Sequence, residues 1–261
     1  MWVERLARFG YATKGFVYGL IGILAVMAAF TSGGKTTGTK GALRTISAQP
    51  FGQILLILVA VGLVGYVIWR FVEAIKDPDH KGSDFKGIVT RLGYILSGLI
   101  YAGVAVNAAL FAMGSSSGGG GDSKQTWTAR LLSQPFGQWL VGTLGALIIG
   151  LGLYYIYKAY KTKFRKKLNL RELDYQQEKL VVNVCRFGIT ARGVIFVMLG
   201  FFLIQAARQF EPSKARGLDG ALHTIAQQPY GKFLLAIAAF GLIAYGIYML
   251  VQARYRHFKT N

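Results

Sequence analysis

Three stretches of this chain, Ile54 to Trp69, Trp139 to Tyr157 and Phe233 to Val251, contain no charge and no side-chain amide. A helix needs about 20 apolar residues at 1.5 Å rise to cross roughly 30 Å of hydrocarbon. The first stretch reaches that length once Phe51 and Val72 are counted with it. Inside a bilayer every backbone N–H and C=O needs an internal partner, so such stretches are confined to helices. The rest of the composition agrees, with 53% apolar and 16% charged residues and a mean hydropathy of +0.39.

Each stretch is the second half of a repeated unit. Arg8 to Arg70, Arg91 to Tyr155 and Arg186 to Met249 share one order: an Arg-x-Gly opening, an apolar run, a polar link, Gln-Pro-aromatic-Gly, and a second apolar run. Gly10, Gly93 and Gly188 are in register, as are Gly15, Gly98 and Gly193. The links end in Gln49-Pro50-Phe51-Gly52, Gln134-Pro135-Phe136-Gly137 and Gln228-Pro229-Tyr230-Gly231. The expected fold is an all-α membrane protein of six transmembrane helices, built as three tandem parallel hairpins in a pseudo-threefold arrangement. Repeat one covers 1–78 with spans near 15–31 and 51–72, repeat two covers 79–162 with spans near 92–113 and 136–157, and repeat three covers 163–261 with spans near 188–207 and 230–251. Together they form one membrane domain. A unit of two spans returns the chain to the side it left, so successive copies enter with the same orientation, unlike inverted repeats.

The first apolar run, Gly15 to Phe30, follows Arg5, Arg8 and Lys14 in the manner of a signal peptide. Its internal equivalents around Gly98 and Gly193 cannot be cleaved leaders, so it is read as a retained span. Ahead of it, Trp2, Leu6 and Phe9 read as a short interfacial helix. The formal charge of +19 is asymmetric: 21 of the 30 Lys and Arg residues fall on the side of the termini, leaving nine for the three links opposite. That bias predicts an N-in, C-in topology. Lys158 to Lys167 carries six of the basic residues beside a span, which points to anionic headgroups. Nucleic acid is not an expected partner, because no recognition fold accompanies the charge. A protein partner or a homo-oligomer is compatible with the pattern.

Several residues are candidates for more than lining a helix. Gly41 to Ile46 and Asp219 to Ile225 predict short amphipathic helices on the outer face, with Trp127 and Leu131 taking that place in the middle copy. Pro50, Pro135 and Pro229 are expected to open the second spans, where a missing N–H is harmless; Gln49, Gln134 and Gln228 brace those corners. Asn107 lies well inside the third span, where its amide needs a partner helix, water or another polar side chain, and an interhelical hydrogen bond is the favoured expectation. Gln205 is a second polar group, near the outer end of the fifth. Lys14 and Arg192 occupy one repeat position, Ser97 its middle copy, and both basic residues are expected to snorkel to the interface. Arg8, Arg91 and Arg186 are preserved in all three copies and, with Lys14 and Arg192, are the candidates for anionic lipid or another anion, since a guanidinium matches phosphate oxygens bidentately. The inner link begins at Glu73, and Asp77, Asp79 and His80 within it read as a solvated turn. Gly114 to Asp122 is a Ser/Gly-rich link, expected to be mobile.

The repeated Arg-x-Gly openings and Gln-Pro-aromatic-Gly corners resemble those of the bacterial membrane family defined by domain of unknown function 1206, over nearly the whole chain from Arg8 to about Tyr255. The resemblance implies about three copies of a two-helix unit in a bacterial plasma membrane, and implies no activity, cofactor or catalytic residue. The residues themselves suggest none either: there is no phosphate-binding glycine loop, no nucleophile elbow, a single Cys185, and three histidines in separate loops or the tail. No metal or cofactor is expected. With no carboxylate inside the six apolar segments as bounded here, proton-coupled transport has little support. The favoured function is a structural or accessory membrane protein with anionic-lipid contacts; a small-solute transporter or channel is the alternative, and a lipid-acting enzyme the third.

Overall fold

The computed structural model describes residues 2–30, 36–78, 82, 84–114, 123–170 and 173–256, and the side chains among them except those of 85–86, 123–127 and 166–167. The helices are α1 (Trp2–Phe30), α2 (Thr39–Ser47), α3 (Gly52–Ile75), α4 (Phe85–Ala112), α5 (Ser123–Leu132), α6 (Gly137–Tyr160), α7 (Tyr175–Gln209), α8 (Leu218–Ala226) and α9 (Gly231–Tyr255). Six of them, α1, α3, α4, α6, α7 and α9, are long and apolar enough to cross a membrane. The short helices α2, α5 and α8 stand in the three links, as expected. The protein is a six-span integral membrane protein. Asp79, His80 and Lys81, and the link at 115–122, lie outside the described residues.

Helix boundaries depart from the sequence reading at the first helix of each repeat. α1 runs without a break from Trp2, so there is no separate interfacial helix; nothing in Trp2 to Lys14 interrupts the hydrogen-bond ladder. α7 begins at Tyr175, where the Asp174 carboxylate accepts the Tyr175 N–H at 2.6 Å. α4 is capped in the same way, by Asp84 accepting from the Gly87 N–H at 3.0 Å.

The corners also differ from expectation. The prolines do not open the second spans. α3, α6 and α9 start at the following glycine, and the aromatic before it is the N-cap in a left-handed conformation: φ is 61° at Phe51, 63° at Phe136 and 61° at Tyr230. A Cβ on Gly52 would lie 2.2 Å from the Ile46 carbonyl oxygen, on Gly137 1.9 Å from that of Leu131, and on Gly231 2.0 Å from that of Ala226. Only glycine lets the chain double back over the link helix so closely. The Gln contribution is chiefly backbone: the Gln49, Gln134 and Gln228 carbonyls accept the Gly52, Gly137 and Gly231 N–H at 2.8–2.9 Å. The left-handed turn throws the three rings outward to 79, 80 and 86% exposure, the setting of an interfacial aromatic.

The close helix pairs join consecutive repeats: α3 with α4, α6 with α7, and α9 with α1. Small residues seven apart make the last two. A Cβ on Gly15 would meet the Gly246 carbonyl oxygen at 2.8 Å, and one on Gly22 that of Ala239 at 2.8 Å. At the same repeat positions in α6 and α7, the pairs are Gly193 with Gly152 and Gly200 with Gly145, at 2.5–2.8 Å in both directions. Such antiparallel backbone contact supplies dispersion where no hydrophobic force drives association. In α3 Val67 replaces the glycine, and a Cβ on Gly98 would find only the Arg70 and Phe71 side chains at 3.4–3.5 Å.

Within hairpins, α1 packs on α3 and α7 on α9, whereas α4 and α6 are not a packed pair. The reason is legible residue by residue. A Cβ on Gly10 would strike the Tyr66 backbone nitrogen at 2.4 Å and one on Gly188 that of Tyr245 at 2.3 Å, but the equivalent Gly93 has nothing within 4 Å. Gly65 abuts the Leu6 carbonyl oxygen at 2.6 Å, and its equivalent Gly150 again has open space. Gly62 seats against Thr13 and Gly241 against Ala191; the middle copy puts Leu147 and Leu96 there instead. Two leucines cannot occupy the volume of Gly and Thr, so the middle hairpin is splayed.

Candidate functional site

The same repeat position that yields Lys14, Ser97 and Arg192 places all three toward one another in the bundle. Lys14 is 3% and Arg192 7% exposed. Neither snorkels, which corrects the sequence reading. Aromatic rings clothe both cations instead. Lys14 Nζ donates to the Tyr66 hydroxyl at 2.8 Å and lies 4.3 Å and 4.1 Å from the Tyr66 and Tyr101 ring centres. The Arg192 guanidinium lies 4.5 Å from the Tyr245 centre, 4.6 Å from Phe196, 4.9 Å from Tyr18 and 5.9 Å from Tyr155. Each desolvated cation–ring contact is worth up to about 2 kcal/mol.

A hydroxyl chain ties the two cations together. Tyr66 Oη accepts from Lys14 and also from Arg70 Nε at 2.7 Å, so its own hydrogen is left for Ser97 Oγ at 3.4 Å. Tyr18 and Tyr101 share a hydrogen bond at 3.0 Å, linking the ring over Lys14 to the ring over Arg192. What the cluster lacks is an acid. Neither Lys14 nor Arg192 forms an ion pair among the described residues, and the buried Nε and Nη1 of Arg192 have no hydrogen-bond partner there. A guanidinium keeps its charge under all ordinary conditions, so two buried nitrogens carrying three unpartnered N–H groups beside a lysine amine are an anion-seeking arrangement.

One layer away sits the carboxylate that sequence reasoning placed in a link. Glu73 belongs to α3, its side chain is fully buried, and it accepts from Arg70 Nη1 at 2.7 Å and from Arg256. Arg256 is not a solvated tail residue: it is 3% exposed and donates to Gln252 Oε1 and to the Tyr11 hydroxyl, which also accepts from Arg70 at 3.0 Å. The terminus is held by an antiparallel bridge between Leu168 and Arg256 and by Asn169 N–H to the Tyr255 carbonyl at 2.8 Å. Among the described residues, the guanidiniums of Arg70, Arg192 and Arg256 and the amine of Lys14 thus lie inside the bundle with one buried carboxylate, that of Glu73.

The other candidates go elsewhere. Arg8 donates to the Ala253 and Arg254 carbonyls at 2.9 and 2.6 Å and pairs with Glu4 at 2.9 Å, while Arg91 donates to those of Ala74 and Ile75 at 2.6 and 3.2 Å. Each closes the C-terminal end of the preceding repeat's second helix, where orphan carbonyls and the helix dipole attract a cation. Arg186, half-buried, makes no such bond among the described residues. Arg8 and Arg91 therefore sit at separate helix junctions. Asn107 does not reach another helix; its Nδ2 donates to the Gly103 carbonyl at 2.7 Å within α4. Gln205 is half-buried on α7, and Gln49, Gln134 and Gln228 are exposed, only the last using its side chain, to the Thr224 carbonyl at 3.3 Å.

The family model described as Domain of Unknown Function (DUF1206) matches residues 9–77, 92–162 and 187–256, one match per repeat. The chain belongs to this family. A DUF1206 relative, "Uncharacterized protein YxxB" of Bacillus subtilis (strain 168), is 41% identical over 256 residues, covering 98% of this chain and 92% of that protein. No solved structure matches the chain. With six spans and a bacterial relative, this DUF1206 protein is a bacterial multi-pass membrane protein. Tyr66 and Tyr245 occupy one repeat position, where the middle copy has Leu151. Their recurrence with Tyr18 and Tyr101, one turn beyond Lys14 and Ser97, was the available signal for an aromatic cage.

Proposed function

We propose that this protein is a structural or accessory component of the bacterial plasma membrane that holds an anionic group at Arg192 and Lys14. Its three hairpins stand around a pseudo-threefold axis with both termini in the cytoplasm, and the site lies on that axis at the inner-leaflet end of the spans. One observation carries the reading: a buried guanidinium whose Nε and Nη1 have no hydrogen-bond partner among the described residues, beside a lysine, with neither side chain in an ion pair there. An unpaired buried charge costs several kcal/mol, and a bound carboxylate or phosphate oxygen removes that cost. The Tyr18–Tyr101 pair uses one hydroxyl hydrogen between them and leaves the other to donate to an anion. The cyclic order of close pairs, α9 with α1, α3 with α4 and α6 with α7, supports the axis, since each repeats the same positions.

The test is small-molecule and lipid mass spectrometry on protein purified in mild detergent. Wild-type protein should retain an anion-bearing species, and Arg192→Gln should weaken its binding tenfold or more, the loss of one charged hydrogen bond being about 1.5–3 kcal/mol. Arg192→Lys should give an intermediate loss, because charge remains without the planar fork. Equal retention in all three proteins overturns the reading.

Orientation has its own test. Cysteines replacing Gly118 and Lys214 should react with a membrane-impermeant maleimide in intact cells, and one replacing Lys166 should not. The native Cys185 is fully buried and contributes little background. External labelling at Lys166 would reverse the topology.

A further inference from the structure

The anion site has a side entrance. Lys14 lies against Tyr101 of α4 and Arg192 against Tyr155 of α6, so the two cations stand behind the pair of helices that are splayed. Every other neighbouring pair around the bundle is closed by packed side chains or by backbone contact. Between α4 and α6 the facing positions are apolar and open: Leu96 is 51%, Ile100 58%, Leu147 66% and Leu151 42% exposed. In the closed hairpins the counterparts of Leu151, Tyr66 and Tyr245, are at 0% and 3%. In a membrane the medium outside this slot is acyl chain.

From the slot's apolar walls and the cationic interior behind it, we infer that an anionic lipid enters laterally between α4 and α6, lays an acyl chain along Leu147 and Leu151, and places its headgroup oxygens at Arg192 and Lys14. This rests on the anion-site reading and names the class of ligand. The two halves are complementary as an amphiphile is: a charge-bearing end meets Arg192 Nε and Nη1, and a hydrocarbon end meets leucine. A zwitterionic lipid would bring its ammonium group toward two unbalanced cations and is disfavoured. A soluble anion uses only the inner half and leaves the slot to ordinary boundary lipid. Gly93 and Gly150 keep the entrance wide, since neither has an atom within 4 Å of where a side chain would begin.

The experiment uses full-length protein in vesicles of phosphatidylcholine and phosphatidylglycerol in equal parts, with a photoreactive amino acid replacing Leu147 in the slot or Phe240 on the exposed side of α9. Adducts are identified by mass spectrometry. Phosphatidylglycerol should be enriched at position 147 over position 240 by about fivefold or more, the preference a single cationic contact confers on an anionic lipid. Arg192→Gln should abolish the enrichment. Gly150→Phe, which adds its ring in open space and leaves the cations untouched, should lower the total yield at 147 while leaving 240 unchanged. The same lipid composition at both positions overturns the lateral route. If inorganic phosphate binds in an Arg192-dependent manner in phosphatidylcholine vesicles while position 147 shows no anionic preference, the interior anion site stands and the lipid assignment fails. If neither anion depends on Arg192, both fail.

Discussion

Replacing Glu73 with glutamine should destabilise the folded protein by about 3–5 kcal/mol, the cost of breaking a buried ion pair by removing one partner. Glutamine keeps the shape of the side chain and removes only the charge. What remains is Arg70 and Arg256 facing each other across the Tyr11 hydroxyl, two guanidiniums without the carboxylate to which both had donated. Unfolding in detergent, followed by denaturant titration or thermal shift, reads the effect. Adding Arg256→Gln to Glu73→Gln removes one of the stranded cations, so the double variant should be more stable than the sum of the singles predicts, by about 0.5–3 kcal/mol. A Glu73→Gln protein as stable as wild type would mean that the carboxylate is not the partner of these arginines.

The second large effect separates two glycines of identical repeat position. Gly188→Leu should cost at least about 1–3 kcal/mol, the usual cost of overpacking a fitted core. The atoms it would strike are the Tyr245 nitrogen and the Ala244 carbonyl carbon, at 2.3 and 2.5 Å, and backbone cannot step aside as a side-chain end can. Gly93→Leu places the same side chain in open space and should change stability by about 0.5 kcal/mol or less. Thermal shift of the two variants in one detergent decides it. Equal losses would close the middle hairpin and remove the slot.

How much of this was legible in advance depends on the range of the interaction. The spans, link helices and three corners follow from local composition and from the repeat, because a helix in hydrocarbon satisfies its own backbone. The splaying of α4 from α6 was written in Leu96, Leu147 and Leu151, but it is read only by knowing that their counterparts touch. Lys14 and Arg192 were misplaced for a related reason. A basic residue at the end of an apolar run has two ways to avoid hydrocarbon, outward to the interface or inward to aromatic rings and hydroxyls. Helical phase relative to the packing glycines decides between them: Gly15 and Gly193 turn toward α9 and α6, which leaves Lys14 and Arg192 facing inward. Glu73 was misjudged by three residues of helix, since α3 continues past Val72 to Ile75 and carries its carboxylate inside. Pro50, Pro135 and Pro229 suggested helix starts by general preference, whereas the following glycine, hard against the link helix, determined where the ladder could begin.

The pairing of Glu73 with Arg256 also has a schedule. The two residues are 183 apart in sequence, and Arg8 reaches carbonyls 245 and 246 residues downstream. At roughly 5–20 residues per second, a ribosome takes on the order of 10–40 s to reach Arg256 after making Glu73. Throughout that interval the first hairpin is inserted with its acid not yet joined by Arg256 and with the flank that will receive α9 facing lipid. Only release of the finished chain lets the last helix dock on the first. A nascent chain stalled before α9 therefore presents an unclosed, charged seam to the bilayer.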